Sequence, residues 1–289
     1  MPPNQRAAAA SAASFVVVAA SALALALASP AAPGFCDEAG WSPLWSEDFD
    51  EPELDASAWN VLNNTVEEDS SCREAMCLAD NVAVRGGALV LTARREQRGW
   101  ANITTGAVNS RGKRSFGAEA GRPVRFCISS KLPGTPATGA GYWPALWLMP
   151  DDDSCWPDHG ELDLMEEING DAVEHFTYHV SPHNATVCKG GPVQQSAGSS
   201  MAVPTMATGW HEYAVEIAMG QFAFVVDGAV AWNSTLMRPD LPVHDVPWYV
   251  ILNFAVGGPW PKPPNSSTVF PVDMLVNYVR VSRLGSALV

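Results

Sequence analysis

Acidic side chains are closely spaced in Asp158-His-Gly-Glu161-Leu-Asp163-Leu-Met-Glu166-Glu167, a pattern able to combine proton transfer with nucleophilic attack. In a regular strand alternate side chains share a face. Glu161, Asp163, Met165 and Glu167 then fall on one side, with Leu162, Leu164 and Glu166 on the other. The leucines suit a core-facing side, which turns Glu161 and Asp163 toward an open groove, because burying two carboxylates on one face without cations is too costly. The third carboxylate is ambiguous. Glu167 has the right parity but lies roughly 20 Å from Glu161 along an extended backbone, whereas Glu166 lies roughly 16 Å away with the wrong parity. A β-bulge beyond Asp163 would correct the parity and shorten the path, and bulges are common beside active sites.

Carboxyl groups ~5–5.5 Å apart hydrolyse glycosides with retention, while ~6.5–9.5 Å implies inversion. On the retaining reading Glu161 attacks the anomeric carbon to form a glycosyl-enzyme. Glu166 protonates the leaving oxygen and then deprotonates the incoming water. Asp163, between them, holds Glu161 in its attacking orientation, and its charge opposes ionisation of its neighbours. On pattern alone two other readings stay open: a solvated acidic edge, or a calcium site shared with Asp151, Asp152 and Asp153.

The elements that must position these residues read as short strands. Candidates are Ala88 to Ala93, Arg125 to Ser130, Tyr142 to Leu148, Glu161 to Met165, His175 to Val180, Glu212 to Ile217, Gln221 to Val226, Tyr249 to Ala255 and Met274 to Val281. Asp227-Gly228 is a strong turn signal. Glycine and proline, at 23 each, favour many turns, and no long segment beyond the N-terminal run carries a helical apolar period. An all-β fold of two packed antiparallel sheets is expected. Residues 1–28 read as a signal peptide, with Arg6 before an apolar run and Ala26-Leu-Ala28 as the cleavage site; an uncleaved anchor is the alternative. A short leader (29–40), one domain (41–281) and a C-terminal tail (282–289) complete the expected organisation.

The formal charge of −14 argues against a nucleic-acid partner. The six cysteines suggest disulfides in an exported chain, Cys72 and Cys77 being one candidate pair closing a small loop. Sequons at Asn63, Asn102, Asn184, Asn233 and Asn265 predict exposed, glycosylated loops in a eukaryotic secretory route.

Around the acidic segment, Gly141-Tyr-Trp-Pro-Ala-Leu-Trp-Leu-Met-Pro150, Trp156-Pro157 and Gly160-Glu-Leu-Asp-Leu-Met-Glu166 resemble the signature of glycoside hydrolase family 16, in particular its laminarinase (endo-1,3-β-glucanase) branch. Further ordered matches run over most of 41–281, among them Leu44-Trp-Ser-Glu-Asp-Phe49, Gly209-Trp-His-Glu-Tyr213 and Ile251-Leu-Asn-Phe-Ala-Val-Gly-Gly258. The resemblance implies a β-jelly-roll sandwich with a concave glycan-binding groove, and hydrolysis of β-linked glucan with retention. It also implies Glu161 as nucleophile, Asp163 as its helper and Glu166 as acid/base, reached through a bulge. Thr177-Tyr-His179 resembles a family patch that borders the site, making His179 a sugar or acid/base contact.

Tryptophan offers an apolar face and one N–H to a sugar ring. Trp143, Trp156 and Trp260 are the candidate platforms, while Trp147, Trp45, Trp59 and Trp248 are assigned to the framework. Asn253, polar within an apolar strand, is a candidate hydroxyl partner, and Arg111 a further groove residue. The chain departs from the family pattern at Cys127 and Ser129, which stand for an acidic and a basic residue, at Ile217 for a tryptophan and at Asn277 for an aspartate. A disulfide at Cys127 would replace the brace lost there. The function expected is endo-hydrolysis of β-1,3-glucan by a secreted monomer without a required cofactor, structural calcium being admitted. Alternatives are hydrolysis or transglycosylation of mixed-linkage or another β-glycan, and non-catalytic glucan recognition.

Overall fold

The computed structural model describes residues 34–63, 71–182 and 194–285. The signal segment read at 1–28 and the sequon at Asn184 lie outside them. In chain order the strands are β1 (Trp41–Glu47), β2 (Asn60–Val61), β3 (Met76–Cys77), β4 (Val82–Val84), β5 (Leu89–Ala93), β6 (Thr104–Thr105), β7 (Ala107–Asn109), β8 (Val124–Lys131) and β9 (Tyr142–Pro150). There follow β10 (Glu161–Glu166), β11 (Val173–Val180), β12 (Gln195–Ala202), β13 (His211–Ala218), β14 (Gln221–Val226), β15 (Ala229–Asn233), β16 (Trp248–Val256) and β17 (Val272–Leu284).

Two large antiparallel sheets carry the fold as a β-jelly-roll sandwich. One runs β15-β14-β13-β8-β17-β5-β4 with β1 also on β17; the other runs β12-β11-β10-β9-β16-β7-β2. The strands expected from the apolar runs all form. β11 shows why: in Val-Glu-His-Phe-Thr-Tyr-His-Val every second residue is buried, so Phe176 and Tyr178 enter the core while His175, Thr177 and His179 face outward. Each fully buried ring of this kind contributes ~1.5–3 kcal/mol. β12, Gln-Ser-Ala-Gly-Ser-Ser-Met-Ala, escapes prediction because it is a polar edge strand with no apolar alternation. Its Gly198 packs against the β11 backbone, where a Cβ would meet Phe176 O at 2.1 Å.

The first described residues, Gly34 to Glu38, fold onto the face of the first sheet that points away from the core. Phe35–Asp37 forms a 3₁₀ turn, and Cys36 is bonded to Cys127 on β8. Beside that bridge Arg125 is 2% exposed, held between the Phe35 and Trp41 rings at 3.7 and 3.9 Å and paired with Glu216 at 2.6 Å and Glu38 at 2.9 Å. The brace expected at Cys127 is therefore present, as is the Cys72–Cys77 bridge. Ile217 is a buried core residue, and Asn277 sits in a register shift between Val276 and Tyr278. Among the described residues no helix is long and apolar enough to cross a membrane.

Candidate active site

The site is made by one irregularity in β10. Against β9, Asp163 pairs with Trp147 and Met165 with Leu146; against β11, Asp163 pairs with Thr177 and Glu166 with His175. One extra residue has entered β10 on both sides. Leu164 and Met165 consequently both go into the core, at 1% and 0% exposure, and every later side chain changes face. Glu161, Asp163 and Glu166 now share the outer face of the second sheet and line one cavity with Trp143 and Trp147. Glu167, the candidate of correct parity, is turned inward and is 1% exposed. The ambiguity resolves to Glu166.

Each carboxyl has its own partners. Trp156 donates its indole N–H to Glu161 Oε2, and Trp143 Nε1 donates to Glu166 Oε1 at 2.8 Å. Glu161 and Asp163 bring carboxyl oxygens within 4.8 Å of one another, close enough that a proton on either relieves their like-charge repulsion. His179, cross-strand from Glu161, places Nε2 3.2 Å from Asp163 Oδ2. Gln194 Nε2 lies 2.8 Å from His179 Nδ1. An amide N–H there makes Nδ1 the acceptor, so a neutral ring carries its proton on Nε2, facing Asp163.

Burial dominates the acidity of the cluster. It pushes Glu161 up to about 8, with the Asp163 charge adding to it and His179 opposing. It pushes Glu166 up to about 7, opposed by the Trp143 hydrogen bond. Asp163 is raised by burial and then by Glu166. Three carboxyls this close bind protons as one unit, and the loss of each proton belongs to the set. The His179 donor atom lies within 4.8 Å of both Glu161 and Asp163. The sequence reading that joined Asp151 to Asp153 into a calcium site meets a different arrangement: Asp151 accepts from Gly112 N–H, and Asp152 is paired with His159 at 2.7 Å.

Of the residues singled out as sugar contacts, the structure gathers some and separates others. Trp156, 37% exposed, stands beside His179 with ring centroids 6.4 Å apart. Trp260, equally exposed, meets Trp143 edge-on at 5.4 Å and His175 at 4.8 Å. The aromatic groups thus bracket the carboxyls, Trp156 on the Glu161 side and Trp260 on the Glu166 side. Asn253 lines the cavity but is 3% exposed; its amide accepts from Trp147 Nε1 at 2.6 Å and donates to Ser71 O at 2.7 Å. Arg111 is exposed at the end of β7, three strands from β10, and is outside the cavity lining.

Trp147, assigned to the framework from the sequence, and Arg73, not singled out there, also line the cavity. Trp147 lies on the same outer face as Trp143 and Ala145, which strand parity alone showed. Arg73 comes from the loop closed by Cys72–Cys77, and its guanidinium carbon lies 4.4 Å above the Trp143 ring. No local pattern could place it, since the loop reaches the site by pairing Arg73 with Val256 on β16.

A jelly-roll sandwich with three bulge-aligned carboxyls between tryptophans is the site of a glycan-cleaving enzyme. Residues 131–214 match the model of an XgeA-like catalytic GH16 domain. The chain is 31% identical over 265 residues to a β-glucanase of Rhodothermus marinus, spanning 84% of this chain and 85% of that one. The solved laminarinase of Rhodothermus marinus superposes with a TM-score of 0.69 at 29% identity, covering 84% of this chain and 97% of the other. The endo-β-1,3-glucanase of Pyrococcus furiosus superposes with a TM-score of 0.72 at 26% identity, covering 86% and 96%. The chain belongs to glycoside hydrolase family 16. It is a glycoside hydrolase acting on a glycan.

Proposed function

We propose that this protein is a secreted, monomeric, retaining endo-hydrolase of β-1,3-glucan, with Glu161 as nucleophile, Glu166 as acid/base and Asp163 as the residue that positions Glu161. The observation that carries this reading is the bulge after Asp163, which puts all three carboxyls on one face. Its support in substrate class comes from the laminarinase and endo-β-1,3-glucanase names of the relatives.

In the first step Glu166 gives its proton to the glycosidic oxygen as the bond to the anomeric carbon breaks. Glu161 Oε forms the new bond to that carbon, and the leaving sugar departs neutral. In the second, Glu166 takes a proton from water, the water oxygen bonds the anomeric carbon, and Glu161 leaves as carboxylate. Burial raises the pKa of both carboxyls, so their order of ionisation does not assign the roles; motif order and hydrogen bonding do. The Trp156 N–H favours charge on Glu161. Loss of its proton frees Glu161 to attack, and His179 stands ready to support charge on Asp163. Trp156 and Trp260 supply sugar platforms on either side. Trp143 serves chiefly as a donor to Glu166, and Asn253 acts on the sugar through Trp147. The steps draw on side chains alone, and calcium, where bound, serves structure.

The test is a panel of laminarin, lichenan and xyloglucan with Glu161→Gln as control. Laminarin should release reducing ends with a ladder of internal products. The variant should lose turnover by at least ~10⁴-fold while still binding laminarin. Activity confined to xyloglucan would overturn the glucan assignment. Binding of laminarin by the wild type without reducing ends would make this a recognition protein.

A further inference from the structure

Arg73 is the cation of a cavity otherwise lined by three carboxyls and neutral groups. None of the ion pairs among the described residues includes it; its contact is the face of Trp143. Its placement is built rather than incidental. Arg73 takes a left-handed φ of 58°, a conformation that costs a non-glycine residue. The disulfide from Cys72 to Cys77 closes the loop around it. Glu74 N–H donates to Val256 O at 3.1 Å, and Ser71 O accepts from Asn253 at 2.7 Å. Both ends of the short segment are thereby tied to β16.

The Trp143 indole that Arg73 covers is the one whose N–H holds Glu166. We infer that Arg73 is a positioning residue for the acid/base carboxyl, clamping the Trp143 ring that orients Glu166 and supplying positive charge on Glu166's side of the groove. The inference rests on the proposed role of Glu166. The groups around that carboxyl are Glu161 and Asp163 on its own strand, His175 and His179 on β11, Trp143 on β9 and Arg73 on the loop. Burial and the Glu161 charge oppose its ionisation, while the Trp143 hydrogen bond, His179 and Arg73 favour it. Arg73 is thus a counterweight that stabilises the carboxylate Glu166 becomes once its proton has gone to the leaving sugar.

The experiment is the pH dependence of kcat/KM on laminarin for wild type, Arg73→Gln, Arg73→Lys and Glu166→Gln. Removing the cation should raise the pKa of Glu166, so Arg73→Gln should move the alkaline limb upward by about 0.5–1 pH unit and lower the rate. Arg73→Lys should return the limb toward the wild-type position, with a smaller recovery in rate because the planar stack is lost. An unmoved alkaline limb in Arg73→Gln, at any rate, overturns the inference and leaves Arg73 a structural residue. A limb that persists unchanged in Glu166→Gln overturns the acid/base assignment itself.

Discussion

Burial pushes the pKa of Glu161, Asp163 and Glu166 upward, and their indole and imidazole neighbours decide where charge can settle. The same reasoning gives Asn253 a precise duty. Its two amide ends are both satisfied, by Trp147 and by Ser71 O, inside a buried pocket. Asn253→Ala would remove the acceptor of the Trp147 indole N–H and one donor to Ser71 O, at a cost of ~1–3 kcal/mol. A urea unfolding midpoint should fall accordingly, and KM for laminarin should rise as Trp147 loses its fixed orientation. An unchanged midpoint together with unchanged KM would show that the amide holds nothing in place.

At the scale of elements, the bulge in β10 decides the chemistry. Deleting Leu164 would remove the extra residue, so that Met165 takes its place in the core and Glu166 keeps the outer face in a regular strand, one residue nearer Glu161. The expected result is a lower unfolding midpoint from the lost core leucine with hydrolysis still detectable; a deletion variant with no turnover would show that sharing a face is not enough and that the bulge's own geometry is needed. The Cys36–Cys127 bridge spans 91 residues of sequence, for which the chain-entropy model gives ~4–5 kcal/mol. A Cys36→Ser, Cys127→Ser double variant should therefore unfold at markedly lower denaturant, while retaining the pH profile of the wild type, because this brace lies on the opposite sheet from the carboxyls. A displaced pH profile in that variant would mean that the brace also shapes the site.

Across the whole molecule, the interior holds acids that the reaction does not use. Glu167 and Glu174 are 1% and 0% exposed, and burial pushes them up to about 8 and about 9 from an ordinary 4.5. Tyr213, from the facing sheet, is raised by burial and then by Glu174. A folded-state pKa above the unfolded one means the native state binds the extra proton. That contribution is present in full below pH about 4.5 and is lost as pH rises through about 8 to 9. The three groove carboxyls act in the same direction, whereas Asp152 and Asp227, held down by hydrogen bonds, act oppositely. Unfolding midpoints should be higher at pH 5 than at pH 8.5, and Glu174→Gln should flatten the difference. A midpoint that rises toward alkaline pH would contradict this account.

The sequence by itself determined the sheets, because alternating apolar residues such as Phe176 and Tyr178 leave one face to bury. It also determined the acidic trio's membership up to one choice, since parity and reach excluded each other for Glu166 and Glu167. β12 stayed hidden because a polar edge strand is specified by its β11 neighbour and not by its own pattern. Only the tertiary structure decided the choice of Glu166, because a bulge is a pairing relation between β10 and its two neighbours. It alone showed that Asn253 is satisfied from within, and that a loop more than sixty residues before the trio carries Arg73 to the groove. Contacts of that kind depend on register and loop docking across the sheet, which no local run of residues encodes.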